Sequence, residues 1–375
     1  MKRYITFILG LLLIATPLLS SGMTTNDDDK PMKKDYQTLW KSFDEHLDNR
    51  LPESAEKVLN EIEQMAAKEH DQIQLLKTIL YRHKVMFETV EEDYEEAYLK
   101  YALAQLDRLE AVPQAVLHCE IAQIYADYLN DHDYSISDNL AIDGSLDEVA
   151  MKYWDKRTFQ RLIDEQFALA LQPKKQLQAA QTEPYLVLYE SPEPDYVKFE
   201  PTMFDYLFHR VAGYYKNNAT ADNLQPDWNT QLWWLDDMDF AKADLGNSDD
   251  AIIRVLRFYQ QLIAQNKDNE DLLLYNDYKR YSFVNGILKE EKLFQKAIRT
   301  LIANHKTNSQ CANLSNCLAT SLINQYDKNP NDSTYYNNYR DAARLCLIAI
   351  KLFPDNCASC KETLKYLKSP ELGFV

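Results

Sequence analysis

Hydrophobic residues recur every three or four positions along most of the chain, the spacing that places them on one face of an α-helix. The first run contains Tyr36, Trp40, Phe43 and Leu47, and comparable runs continue to about residue 352. The polar breaks between runs are short, and short connections make successive helices antiparallel neighbours. The pattern predicts an all-α protein of tandem antiparallel helical hairpins that form a tetratricopeptide-like α-solenoid.

Two regions interrupt this pattern. Residues 131–148 have the polar composition of a loop, and residues 173–200 carry four prolines with no sustained period. The second region is expected to be a linker that crosses the surface, with one short extended segment at 185–189. The chain is therefore predicted to divide into a first helical segment at 35–172, the linker at 173–200, a second helical segment at 201–368, and a tail at 369–375.

The N-terminus has the features of a secretory signal peptide. Lys2 and Arg3 precede an apolar run at residues 5–19, and small residues follow up to Gly22. This run is shorter than the roughly 20 residues that a membrane-spanning helix needs. We expect a signal peptide at 1–22, with cleavage near Gly22, and a polar linker at 23–34; an uncleaved signal anchor is the alternative. The mature protein is then exported to the periplasm, to the cell envelope or outside the cell, and it has no membrane contact.

Composition narrows the classes of partner. The chain has 58 acidic and 41 basic residues and a net charge of −17, which repels nucleic acids and anionic lipids. Seven glycines in 375 residues favour helices over sheets, which need many turn glycines. The sequence predicts no nucleic-acid partner.

The stretch PTMFDYLFHRVAGYY, at residues 201–215, combines a helix start with titratable groups. Thr202 and Asp205 have capping-box spacing, and Asp205 and His209 lie four residues apart on one side of the helix. This pair is either a catalytic dyad or part of the packing. The packing interpretation is favoured because no marked serine or cysteine nucleophile accompanies it. Gly213 is expected to mark a close helix crossing.

Several segments, in order, resemble the helical N-terminal region of large bacterial alpha-2-macroglobulin-like (MG2-domain) proteins. They are YQTLWKSFDEHLDNRLPESAEKVLNEIEQMAAKE at 36–69, PTMFDYLFHRVAGYY, FYQQLIAQNKDN and YKRYSFV. The similarity extends from about residue 36 to Leu372. In the family, the chain continues beyond a Ser-Pro-x-Leu-like stretch into a first β-sandwich, whereas this sequence ends at SPELGFV. The resemblance implies a truncated gene product, a short paralogue or a fragment.

In family members that trap proteases, trapping depends on a bait segment and sometimes on a Cys-x-Glu-Gln thioester. Neither feature is recognisable in this sequence, where Cys119 is followed by Glu120 and Ile121. Protease trapping by this chain alone is therefore not expected.

Five of the six cysteines lie near the C-terminus: Cys311, Cys317, Cys346, Cys357 and Cys360. In an exported chain, one or two disulfides that tie the last hairpins together are expected. A zinc site or a redox pair built on Cys357 and Cys360 is less favoured, because the sequence lacks a second close pair and a strand–helix context. Free, buried thiols are a further alternative.

Two other features are candidate sites. Trp233 and Trp234 stand beside acidic residues, and they form either a hot spot for a protein partner or part of a helix core. The acidic residues from Asp131 to Asp143 supply oxygen ligands that suit calcium, but they lack the order of an EF-hand, so a solvated loop is favoured. Phosphate-binding glycine loops and metalloprotease motifs are absent from the sequence, and no cofactor is predicted.

These observations favour a non-catalytic, exported module for protein–protein interaction, whose partner is a protease or a downstream macroglobulin chain. One alternative is the front part of a split or truncated endopeptidase inhibitor. A second alternative is a cleft enzyme that uses Asp205 and His209.

Overall fold

The computed structural model describes residues 35–90, 92–141, 145–188 and 195–368. The predicted signal peptide, the polar linker and the tail lie outside these residues. Within them the protein is all-α, as predicted, and the only extended pairing is one antiparallel β-bridge between Gln181 and Thr202. No helix of the described residues is both long enough and apolar enough to cross a bilayer.

The α-helices, in chain order, are α1 (Tyr36–Asp48), α2 (Pro52–Glu69), α3 (Gln72–Thr89), α4 (Tyr94–Gln105), α5 (Ala111–Asp131), α6 (Asp133–Ile136), α7 (Lys156–Leu171), α8 (Lys174–Ala179), α9 (Asp195–Phe199), α10 (Met203–Asn218), α11 (Asp237–Ala241), α12 (Ala251–Gln265), α13 (Glu270–Leu288), α14 (Glu291–Asn304), α15 (Cys311–Lys328), α16 (Asn338–Leu352) and α17 (Ala358–Lys368). Short 3₁₀ helices lie between them at Leu106–Arg108, Leu146–Glu148, Met151–Tyr153, Glu183–Leu188, Ala221–Asn223, Thr230–Trp234 and Ser333–Tyr335.

Polar side chains fix the starts of several helices. Asp71 accepts hydrogen bonds from the backbone N–H groups of Ile73 and Gln74 at the start of α3, and Asp155 does the same at the start of α7. Asp250 caps α12 through Ile252. These contacts satisfy N–H groups that have no partner within the helix, so the short breaks in the sequence become defined helix boundaries.

The hydrophobic residues form three clusters that follow one another along the chain. The N-terminal cluster joins α1, α2 and α3 around Phe43 and Leu59. The central cluster reaches from α2 to α13 and includes Phe159, Phe204 and Tyr259. The C-terminal cluster joins α13 to α17, and Trp234 packs against both this cluster and the central one.

The segment at 173–200 differs from a linker that crosses the surface. It contains α8 and α9, and it buries Leu177, Tyr185 and Leu188 in the central cluster. The extended segment predicted at 185–189 is wrong, because Glu183–Leu188 is a 3₁₀ helix. Residues 189–194 lie outside the described residues. The apolar side chains of this segment are anchors that hold it against α10 and its neighbours.

The predicted loop at 131–148 is also partly helical. Helix α5 continues to Asp131, and α6 and a 3₁₀ turn follow. Asp133 pairs with Lys156 at 3.0 Å in an exposed position. No group of three or more metal-ligating side chains occurs among the described residues, and Asp143 and Gly144 of the proposed calcium loop lie outside them.

Candidate functional site

The start of α10 is built on the predicted capping box. The Thr202 hydroxyl accepts a hydrogen bond from the Asp205 backbone N–H at 3.2 Å and donates one to Asp205 Oδ2 at 2.6 Å. The other carboxylate oxygen of Asp205, Oδ1, accepts from Asn266 Nδ2 at 3.1 Å and from Gln265 Nε2 at 3.4 Å. Asp205 therefore fixes the helix start and ties α10 to the end of α12.

His209 lies one turn after Asp205 but is not hydrogen-bonded to it through Nε2. This nitrogen is buried and has no hydrogen-bond partner, and the ring packs edge-on against Tyr275 with centroids 5.6 Å apart. Burial, together with the positive charges of Lys216 and Lys279, lowers the pKa of His209 to about 3. The imidazole is neutral at physiological pH, and the two residues do not form the dyad that the catalytic interpretation needs.

Two charged side chains lie near His209: Lys216 at the end of α10 and Lys279 on α13. Both lysines also act on Glu200, which lies just before α10. Burial raises the pKa of Glu200 to about 8, against the opposing effect of Lys279. Burial lowers the pKa of Lys216 to about 8, and the charge of Lys279 acts in the same direction. Strongly shifted groups concentrated in one place are typical of binding or catalytic sites.

Two more buried polar side chains lie near these residues, and Asn276 is a hydrogen-bonding neighbour of His209. Tyr259 on α12 is 0% exposed and Asn276 on α13 is 1% exposed, yet neither the Tyr259 hydroxyl nor Asn276 Oδ1 has a hydrogen-bond partner. The ammonium group of Lys216 lies 4.9 Å from the Tyr259 ring centroid, and that of Lys279 lies 5.1 Å from the Tyr275 ring centroid. We call Glu200, His209, Lys216, Tyr259, Asn276 and Lys279 the polar cluster.

Sequence reasoning missed the polar cluster except for His209. Its members come from three helices and one loop residue, and no spacing in the sequence connects them. The sequence offered one local signal, since Lys216 and Lys279 each directly follow a tyrosine.

A partner hot spot at Trp233 and Trp234 requires exposed side chains, but Trp233 is buried and Trp234 is partly buried. Trp233 is 2% exposed and belongs to the central cluster. Trp234 stacks on Tyr281 with ring planes 11° apart and centroids 6.0 Å apart, and its Nε1 is buried without a partner. The pair joins two hydrophobic clusters, as the core interpretation expects.

Arg280 holds residues 233–235, which we call the tryptophan segment, in place. Its guanidinium group is completely buried and donates to the carbonyl oxygens of Trp233 at 2.7 Å and Leu235 at 2.8 Å. It also donates from Nη2 to Asp277 Oδ1 at 2.6 Å, and its Cζ lies 4.0 Å from the ring centroid of Phe240. Burial raises the pKa of Asp277 to about 6 even though the Arg280 charge opposes this.

All six cysteines are free thiols in the structure, so the expected disulfides stay a prediction. Cys346 on α16 and Cys360 on α17 are both 0% exposed and lie within hydrogen-bond reach of each other. Cys357 is also buried, but its thiol donates to the Pro354 carbonyl oxygen at 3.2 Å. The structure thus brings Cys360 together with Cys346 and not with Cys357.

Gly213 does not mark a close helix crossing. A Cβ atom built at this position meets no atom within 4 Å. The expected crossing is wrong, and the glycine leaves open space on α10.

The most exposed apolar residues of the C-terminal helices lie together on α16. Leu347, Ile348 and Leu352 are 54%, 58% and 57% exposed, and Tyr336, just before this helix, is 57% exposed. We call Leu347, Ile348 and Leu352 the α16 stripe. No other element of the described residues buries these three side chains.

A shallow groove of about 580 Å³ lies at the other end of the chain, between α1 and α3. Trp40 forms part of its wall, and the Lys77 ammonium group stands 4.3 Å from the Trp40 ring centroid. The groove shares no residue with the polar cluster.

Comparison with protein-family models, with curated proteins and with solved structures finds no match to this chain.

Proposed function

We propose that this chain is a non-catalytic helical scaffold that binds another protein through the α16 stripe. Its partner is a β-sandwich domain of a macroglobulin-type chain, in an exported complex of the cell envelope. The observation that carries the proposal is the exposure of three large aliphatic side chains on one helix. Contiguous exposed apolar surface is uncommon on monomeric proteins and is typical of interaction sites.

The arrangement of the helices fits a scaffold. Helices that follow one another in the sequence pack as neighbours, and the three hydrophobic clusters succeed one another in chain order. We propose that they stack as a tetratricopeptide-like solenoid, in which each unit contacts mainly its neighbours. Terminal units of such stacks usually have a polar outer face, so an apolar α16 stripe favours a further body packed on it.

The choice of partner rests on the sequence resemblance. In the resembling proteins, a β-sandwich follows the helical region, and the α16 stripe lies on the last but one helix of the described residues. Burial of each stripe residue contributes about 1 kcal/mol to such a contact. The net charge of −17 supports a protein partner over a nucleic acid.

A catalytic role has less support. Both carboxylate oxygens of Asp205 are engaged by Thr202, Gln265 and Asn266, and His209 Nε2 lacks a partner. A hydrolytic dyad needs the carboxylate to orient the imidazole.

The test is direct binding between the purified chain and the purified product of the next reading frame, measured by calorimetry. The double variant Ile348→Glu/Leu352→Glu is expected to weaken binding about tenfold or more, because it places charge in an apolar contact. Leu169→Glu, which changes a 39% exposed leucine on α7, is the matched control and should bind like the unchanged chain.

Two results would refute the proposal: a next reading frame whose product does not bind, or full binding by the double variant. Adding an endopeptidase to the complex separates scaffolding from inhibition. Unchanged protease activity supports a scaffold, and lost activity supports the inhibitory alternative.

A further inference from the structure

We infer that the polar cluster is a binding site for a small oxyanion, a carboxylate or phosphate group held between Lys216 and Lys279. This site is independent of the α16 stripe and of any protein partner.

The first argument is the placement of the two lysines. Both ammonium groups approach His209 from different helices, and each lies against an aromatic ring, Tyr259 or Tyr275. The ion pairs of the described residues include neither lysine. Two like charges brought together in a poorly hydrated place repel each other, and an anion between them removes that cost.

The second argument is the set of unpartnered polar atoms. Buried polar groups are nearly always hydrogen-bonded, and each exception calls for an unseen partner. Three such atoms belong to the polar cluster: His209 Nε2, the Tyr259 hydroxyl and Asn276 Oδ1. The Asn276 side chain is also a hydrogen-bonding neighbour of His209, so the Tyr259 hydroxyl is the one of the three whose partner is missing altogether. The Tyr259 hydroxyl and the neutral imidazole are able to donate hydrogen bonds to anion oxygens. The Asn276 side chain supplies an N–H donor when its amide is rotated by half a turn.

The third argument concerns Glu200, which at first sight opposes an anion. Burial raises its pKa to about 8, so the carboxyl group is mostly protonated at neutral pH and acts as a donor. The polar cluster then contains a protonated acid, two ammonium groups, a hydroxyl and an imidazole. This set of donors matches an oxyanion and offers little to a metal ion, which needs deprotonated ligands.

Proton binding gives the site a pH dependence. The charged or titratable groups that interact with Lys216 are Lys279, Glu200 and His209. Asp205 and Arg210 interact with Glu200 in turn. As the pH rises through about 8, Lys216 loses its charge and Glu200 gains one. Both changes weaken anion binding, so affinity is expected to fall as the pH rises through this value.

The experiment is calorimetric titration of the full chain with inorganic phosphate and, separately, with acetate, below about pH 7. Saturable binding of either probe supports the site, and the tighter probe identifies the class of oxyanion. Lys216→Met/Lys279→Met is expected to weaken binding about tenfold or more, because it removes both positive charges that hold the anion. Lys41→Met/Lys175→Met, at two exposed lysines, is the matched control and should leave binding unchanged.

Tyr259→Phe supplies a second variant that keeps both charges and the ring. It should weaken binding several-fold while circular dichroism shows the same helix content. The inference is overturned if neither probe saturates, if the double methionine variant binds as tightly as the original, or if a crystal grown with phosphate holds only water between the ammonium groups.

Discussion

Arg280 is the residue on which the tryptophan segment depends. Its guanidinium group satisfies two backbone carbonyl oxygens and neutralises Asp277 where water does not reach. Arg280→Met should lower the free energy of unfolding by about 3–5 kcal/mol, because a buried carboxylate then stands without its partner. Urea unfolding followed by circular dichroism measures this change.

Arg340→Met is the control for that substitution, since the Arg340 side chain is 59% exposed. It should change the free energy of unfolding by less than about 0.5 kcal/mol. A loss for Arg280→Met as small as that of the control would contradict the described role of Arg280.

Glu200 makes stability depend on pH in a direction that can be worked out. Its pKa is about 8 in the folded protein, against an ordinary value of 4.5. Between these values the folded state keeps a proton that the unfolded state has lost, so the free energy of unfolding falls as the pH rises from 4.5 to 8. Glu200→Gln replaces the titrating carboxyl group with an amide, and the stability of this variant relative to the original chain should increase by about 4 kcal/mol as the pH rises across that window.

His209 makes the free energy of unfolding depend on pH in the opposite direction, which provides an internal check. Its pKa is about 3 when folded and 6.5 ordinarily, so its contribution is lost as the pH falls from 6.5 towards 3. His209→Gln should therefore flatten the acid side of the profile only. Urea unfolding without added phosphate, at a series of pH values, gives all three curves, and parallel curves for Glu200→Gln and the original chain would contradict the assignment.

At the scale of elements, the contact between α16 and α17 selects one pair of cysteines. We expect refolding in oxidised glutathione to give a Cys346–Cys360 disulfide, because these two thiols lie within hydrogen-bond reach of each other. The Cys360 thiol also donates to the Ala312 carbonyl oxygen at 3.4 Å, and the Cys357 thiol donates to the Pro354 carbonyl oxygen at 3.2 Å. The disulfide closes a loop of about 15 residues and should add roughly 3 kcal/mol to stability. Mass spectrometry of unreduced peptides identifies the linked pair.

Cys317→Ala is the matched control, since Cys317 lies on α15 and should not affect the cross-link. Linkage of Cys357 with Cys360, or no intramolecular linkage after refolding, would contradict this pairing.

Long elements were predictable from the sequence and short ones were not. Helices such as α5, α12, α13 and α14 have three or more turns, which repeat the apolar spacing often enough for the sequence to indicate a helix. Helices α6, α8, α9 and α11 have four to six residues, too few to show a period. They form where tertiary contacts, such as the burial of Leu177 or Phe240, hold a short segment in place.

At the scale of the whole molecule, the three clusters predict unequal stability. Leu318→Ala, in the C-terminal cluster, should increase backbone hydrogen exchange in α14 to α17 and leave α1 to α5 unaffected. The reason is that stacked helical units stabilise mainly their neighbours. Hydrogen-exchange mass spectrometry resolves the two regions.

Leu256→Ala is the comparison for that experiment, because Leu256 is equally buried but lies in the central cluster. It should increase exchange on both sides of α12. Uniform exchange across the chain for Leu318→Ala would contradict a stacked arrangement and favour one cooperative body.

The fold class was predictable at this scale, but the polar cluster was not. Alternating polar and apolar residues determine which face of a helix is buried, and this information is local. The polar cluster brings residues 200 and 279 together, and only the packing of α10, α12 and α13 determines that proximity. Local sequence information also failed for Trp233. Its acidic neighbours in the sequence did not indicate that Arg280, 47 residues later, would donate a hydrogen bond to its carbonyl oxygen.

Trp234 rests between the central and C-terminal clusters, with its indole ring stacked on Tyr281. Indole emission is sensitive to nearby rings and to water. Trp234 is thus an intrinsic fluorescence reporter at the contact between the two clusters. A change in the packing of the clusters against each other would shift its emission wavelength, and no attached dye would be needed.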